Sequence, residues 1–142
     1  MKVPIKIKKL NPEAIIPSYA HEGDAGLDLF SCEDLIIYPG ERKLVPTGLS
    51  IELPEGYVAL IWDKSGIASK GIHRLAGVGD SGYRGEYKII LLNTTKEIYE
   101  IKKGDKIAQL LIQPIMTAEI EVVNELSETT RGEGGFGSTG IN

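Results

Sequence analysis

One cysteine, Cys32, leaves the chain unable to close an internal disulfide, and a buried, reduced thiol is its expected state. Long apolar runs are also missing. The opening residues MKVPIKIKKL alternate charged and apolar side chains, so no signal peptide or membrane span is expected, and a cytoplasmic location is the default. Positive charge is in short supply: 16 Lys and Arg face 20 Asp and Glu, a net charge of −4. Nucleic acid polymers are bound largely by neutralising their phosphates, so this balance argues against such a partner. A small anion needs only a few local cations and backbone N–H groups, and that ligand class stays open. No helical periodicity of useful length runs through the chain, which argues against a helix bundle.

Turns and alternation are what the chain has. Seventeen glycines and seven prolines in 142 residues imply many turns and short strands in one domain. Val3, Ile5 and Ile7 alternate with Pro4, Lys6 and Lys8; Leu49, Ile51 and Leu53 alternate with Ser50 and Glu52; Ile120 and Val122 alternate with Glu119 and Glu121. Period two predicts half-buried strands. Apolar runs over Tyr57 to Trp62 and Ile89 to Leu92 predict strands buried on both faces. Turn signals separate them at Pro39-Gly40, Pro46-Thr47-Gly48, Pro54-Glu55-Gly56 and Lys103-Gly104-Asp105. The expected fold is all-β, a barrel or jelly-roll, with one short helical turn over Ser65 to Lys70. From Ser127 onward there is little to bury, and five of the ten residues 131–140 are glycine. Residues 1–126 are therefore expected to form the β domain and 127–142 a flexible arm.

Five segments have compositions that strand packing leaves unexplained. In Asp24-Ala-Gly-Leu-Asp28-Leu, Asp28 reads as a strand-end residue unless a site recruits it. In Asp63-Lys64-Ser65-Gly66, a strand runs into a polar turn before a short helix. That turn can offer N–H groups, a hydroxyl and an ammonium to an anion, or Asp63 or Ser65 can simply cap the helix. Gly77-Val-Gly79-Asp80-Ser-Gly82-Tyr83-Arg84-Gly85 sets one carboxylate and one ring among four glycines, which suit a hairpin turn as well as close approach to a ligand. Asp80 can act as a general base for water, and the Tyr83 face can pack on a sugar. Gln109 interrupts an apolar run after Gly104-Asp105-Lys106, and a buried amide needs partners. Last, Arg131-Gly-Glu-Gly-Gly-Phe136-Gly-Ser138-Thr139-Gly140 holds a formal Gly-x-Gly-x-x-Gly, yet too few residues follow for the helix of a dinucleotide fold. An arm with a guanidinium, a ring and two hydroxyls can instead clamp a nucleotide, Phe136 on a base and Arg131 on phosphate.

Taken in order from Ala25 to Gly140, these segments closely resemble the five motifs of the trimeric dUTPase family. The most specific are the tail Arg131-Gly-x-Gly-Gly-Phe136-Gly and the hairpin Gly77-Val-x-Asp80-x-x-Tyr83-Arg-Gly. The resemblance implies a distorted jelly-roll (β-clip), a homotrimer with active sites shared between subunits, and Mg2+-dependent hydrolysis of dUTP to dUMP and pyrophosphate. It assigns Asp80 to activating the attacking water and Tyr83 to stacking under deoxyribose. Backbone at Val78 and Gly79 would read uracil, with Lys88 also among the substrate-binding residues. Lys64, Ser65, Gly66 and Gln109 would hold the phosphates, and Asp28 and Gln109 would reach the metal through water. Arg131, Phe136, Gly137, Ser138 and Thr139 would close over the substrate. Two departures stand out: Asp63-Lys64 where the family usually has Pro-Arg, and Gly79 where it usually has an aliphatic residue. The dCTP deaminases share the fold, and a non-catalytic nucleotide-binding trimer is a further alternative. The Asp80-x-x-Tyr83 pair and the Phe136 arm favour dUTPase over both.

Overall fold

Where apolar and polar residues alternate, the chain runs extended, because a strand places successive side chains on opposite faces. The computed structural model describes residues 1–137 and 140. In chain order its strands are β1 (Lys6–Lys9), β2 (Leu27–Phe30), β3 (Leu35–Ile37), β4 (Arg42–Pro46), β5 (Leu49–Glu52) and β6 (Tyr57–Asp63). The helical turn α1 (Ser65–Ala68) follows, then β7 (Ile72–Leu75), β8 (Val78–Gly79), β9 (Lys88–Asn93), β10 (Tyr99–Ile101) and β11 (Lys106–Pro114). Each expected turn signal falls at a junction between two of these strands. At Pro46-Thr47-Gly48, Gly48 takes φ of +70° and its Cα approaches Asn11 and Ala14 too closely for a side chain.

The strands form sheets in the orders β2-β11-β6-β8 and β4-β9-β7, with the pairs β1-β5 and β3-β10 beside them. All named pairings are antiparallel. Leu29, Ile37, Val45, Ile51, Ala59, Ile72, Ile89, Leu91, Ile101, Ile107 and Leu110 meet in one core, drawn from nine different strands and each at most 2% exposed. Cys32 is buried and free, as expected, and burial pushes its thiol pKa up. Among the described residues no helix is long and apolar enough to cross a membrane.

Two expectations are corrected. β9 is not buried on both faces: Ile89 and Leu91 are covered while Ile90 and Leu92 are only partly so, and β6 likewise carries an exposed Trp62 next to its end. In the β4-β9-β7 sheet Leu44, Ile90 and Leu75 form a cross-strand row, with Leu44 exposed and the other two partly so. The second correction concerns Ile120 and Val122. They alternate as strand residues should, but no strand forms after Pro114 among the described residues, and both side chains are exposed. A strand needs a neighbour to pair its backbone, and among the described residues that segment has none.

Candidate active site

Asp28 lies on β2 with only 2% of its surface exposed, an unusual position for a carboxylate. Two ammonium groups account for it. Lys64 Nζ donates to Oδ1, and Lys106 Nζ lies 3.1 Å from Oδ2. Burial alone raises the pKa of Asp28; hydrogen bonds and charge from Lys64 and Lys106 outweigh it and hold the carboxyl below its usual range. A bulge in β11 builds the rest of the cluster. Lys106 pairs with Phe30, but past the bulge Ala108 pairs with Leu29, so Gln109, not Ala108, stands opposite Asp28. Gly26 makes room: a Cβ there would collide with the Gln109 amide oxygen. The amide nitrogen in turn donates to the Asp63 carbonyl, 2.9 Å away. The part-buried glutamine thus finds a partner, as its position in an apolar run requires.

The polar turn after β6 behaves differently from a capped helix. Lys64 occupies the N-cap position and no side chain caps α1, so the expected cap by Asp63 or Ser65 is not formed. Asp63 is engaged elsewhere: its carboxylate accepts from the Arg74 backbone N–H at 2.8 Å and meets His73 Nδ1 at 3.0 Å. Both bonds tie the end of β6 to β7. His73 is exposed, as its place in a surface hairpin predicts. With no cap, the first-turn N–H groups at Ser65 and Gly66 have no intrahelical acceptor, and both residues are exposed.

The glycine-rich segment forms a second cluster. β8 pairs with β6 through Ala59 opposite Gly79 and Leu60 opposite Val78. After it the chain turns, with Tyr83 N–H donating to the Asp80 carbonyl at 3.1 Å. Arg84 braces the turn through Ser81 O at 2.7 Å and Glu52 at 3.0 Å. Tyr83 Oη donates to Glu86 O at 2.9 Å, and its ring fills the space beside Gly85. The result is a cavity of about 130 Å³, lined by Ile61, Gly77, Val78, Gly79, Tyr83, Glu86, Tyr87 and Lys88. Asp80 is exposed immediately after the lining strand. Strand β6 carries both clusters: Leu60 pairs with the cavity wall, and Asp63 holds Gln109, roughly 10 Å along the strand.

Among the described residues the arm makes no hydrogen bond to either cluster. Arg131 Nε donates to Gly134 O at 2.8 Å, within the arm itself, and Phe136 is fully exposed. Gly137 is exposed beside it, while Ser138 and Thr139 lie outside the described residues. Among the described residues no group of three or more His, Cys, Asp or Glu could hold a metal ion. Sequence reasoning gave no role to Lys106, Asp63 or Tyr87. Lys106 stood inside a quoted motif, but a bulge that places it beside Asp28 leaves no mark in the residue pattern. Asp63 was weighed only as a cap. For Tyr87 the signal was indirect: a glycine at 79 where an aliphatic residue was expected.

This is a jelly-roll-like β fold that carries two clusters, a lysine-bound buried carboxylate and a glycine-walled cavity with an adjacent aspartate. The dUTPase family model matches residues 12–140, and the chain belongs to the dUTPase family. Among similar proteins, the deoxyuridine 5'-triphosphate nucleotidohydrolase of Nautilia profundicola is 55% identical over 139 residues, covering 96% of this chain and 98% of that protein. Its counterpart in Clostridioides difficile is 51% identical over 140 residues, with the same coverage. In structure, the Staphylococcus bacteriophage 80alpha dUTPase with dUPNHPP superposes with a TM-score of 0.90 at 35% identity, covering 97% of this chain and 99% of that one. A mutant dUTPase from phage phi11 of S. aureus, described with a structural Mg(II) ion, gives a TM-score of 0.82 at 31% identity over 88% of this chain and 99% of that one.

Proposed function

We propose that the protein is a Mg2+-dependent dUTP diphosphatase that hydrolyses dUTP to dUMP and pyrophosphate. Water attacks the α-phosphorus, the bond to the bridging oxygen of the β-phosphate breaks, and pyrophosphate leaves. The observation that carries the proposal is the pairing of an exposed Asp80 with a cavity of pyrimidine size walled by glycine backbone, in a chain of this family. Asp80 takes the proton of the attacking water. Tyr83 packs under the deoxyribose, and backbone at Val78 and Gly79 with the neighbouring Lys88 holds the base. Lys64, with the N–H groups and hydroxyl of Ser65 and Gly66, binds the phosphates. Gln109 is the fourth phosphate partner.

Mg2+ suits this donor set. It keeps several waters and is usually held by one or two carboxylates plus substrate phosphates, so the lack of a protein cage among the described residues is no obstacle. When bound, it neutralises triphosphate charge and so favours attack at phosphorus. Asp28 and Gln109 stand opposite each other and would contact it through water. Lys64 donates to Asp28 Oδ1 in the free protein, and a Lys64 drawn to the phosphates would leave that oxygen open to such a contact.

The assembly we propose is a homotrimer. Its support is two clusters set apart along one strand, a cross-strand apolar row of exposed Leu44 with partly exposed Ile90 and Leu75, and exposed Met116, Ile120, Val122 and Leu126. A neighbour would cover this surface and complete each site. The arm carrying Arg131, Phe136, Gly137, Ser138 and Thr139 then closes over the substrate, with Arg131 on the terminal phosphate and Phe136 over the base, and excludes bulk water. Pyrophosphate release with Mg2+ from dUTP, dCTP, dTTP and UTP in parallel tests the proposal. Strong preference for dUTP is expected, and no turnover of dUTP sinks it.

A further inference from the structure

Gly79 is required by what stands next to it. Its φ is not positive, so backbone conformation does not demand glycine. A Cβ at this position would instead run into the Tyr87 hydroxyl and sit 3.0 Å from both Ala59 Cβ and the Ala59 carbonyl. The missing side chain is replaced by a phenol from across the cavity.

That phenol has no obvious structural duty. Tyr87 is 5% exposed, and its Oη has no hydrogen-bond partner among the described residues. An unpaired buried hydroxyl is destabilising, and phenylalanine would fill the same slot without that cost. Burial, helped by Tyr83 and Asp80, pushes the Tyr87 pKa up, so the group remains a neutral donor. Its ring lies 5.8 Å from that of Tyr83, tilted by 46°, and both line the same cavity. Polar groups left unpaired beside a binding cavity are commonly completed by the ligand.

We propose that Tyr87 is a specificity-determining residue, its hydroxyl, seated against Gly79, donating a hydrogen bond to an acceptor on the nucleoside half of the substrate. This rests on the cavity being the nucleoside pocket. The substrate then pairs a group that the free protein leaves orphaned, and the pocket weakens for any ligand unable to accept there.

Full-length Tyr87→Phe is the test. Calorimetric binding of dUMP should weaken roughly 3- to 10-fold, the range a neutral hydrogen bond carries. The kcat/KM for dUTP should fall by a similar factor, mostly in KM, while inhibition by pyrophosphate stays as in the parent. Thermal stability should be equal or higher. Unchanged dUMP affinity overturns the proposal, and so does a drop in melting temperature, which would give the hydroxyl a structural partner. Gly79→Ala is the second variant: it should weaken dUMP binding beside Tyr87 and lose most of that effect beside Phe. Equal effects in both backgrounds also overturn it. Pyrophosphate release from dUTP by the parent protein separates this from the proposed activity. Turnover with an indifferent Tyr87→Phe sinks the Tyr87 role alone, and sensitive dUMP binding without turnover sinks the activity alone.

Discussion

Lys64 and Asp28 form an ion pair in which the carboxylate side chain is 3% exposed and the ammonium side chain 30%, so the charge most in need of a partner is the buried one. Lys106 supports it from the other side. Lys64→Met should therefore destabilise the nucleotide-free, metal-free protein by about 1–2 kcal/mol near pH 7, less than a fully buried pair because Lys106 remains and solvent screens both lysines. The pH dependence follows from the lowered pKa of Asp28. Its contribution is present above the unfolded carboxylate value of about 3.9 and is lost as pH falls through the folded one. The gap between parent and variant should close below about pH 4. Melting curves from acid to neutral pH measure this, and a gap that persists in acid would assign the loss to packing.

Asp80→Asn should lower kcat by roughly 10²-fold or more, the usual scale for a general base, with dUMP affinity and melting temperature near those of the parent. Asp80 is exposed. Steady-state pyrophosphate release decides it, and unchanged turnover removes Asp80 from the role.

Asp63 should prove structural. Its carboxylate holds the Arg74 backbone N–H and His73, and its carbonyl fixes the Gln109 amide. Asp63→Ala should cost about 1–3 kcal/mol in denaturant unfolding, while Asp63→Asn, which keeps an acceptor for the Arg74 N–H, should recover much of it. Equal losses in the two variants would mean that charge, not the backbone bond, is what matters.

Sequence reasoning reached the strands through period two and the turns through glycine and proline, because both signals are local. It reached Asp28, Lys64, Asp80, Tyr83 and Gln109 as residues that packing could not explain. What it missed depends on register. The bulge that sets Gln109 opposite Asp28 and brings Lys106 alongside is a pairing between distant segments. The Gly79–Tyr87 fit is likewise a contact across two strands. Ile120 and Val122 failed for a third reason: alternation marks a segment fit to be a strand, and pairing needs a neighbour that one protomer does not supply.

Removing the arm before Arg131 separates folding from closure. In the described structure Phe136 is fully exposed and Arg131 bonds only to Gly134, so the arm contributes little to the core. The truncated protein should melt close to the parent and keep its oligomeric state. Its kcat/KM for dUTP should nevertheless fall by at least roughly 10²-fold, because a phosphate-binding guanidinium, the ring over the base and water exclusion are lost together. Arg131→Ala should lose part of that in KM, and Phe136→Ala a further part. A truncated enzyme as active as the full chain would show that the β domain alone completes the site.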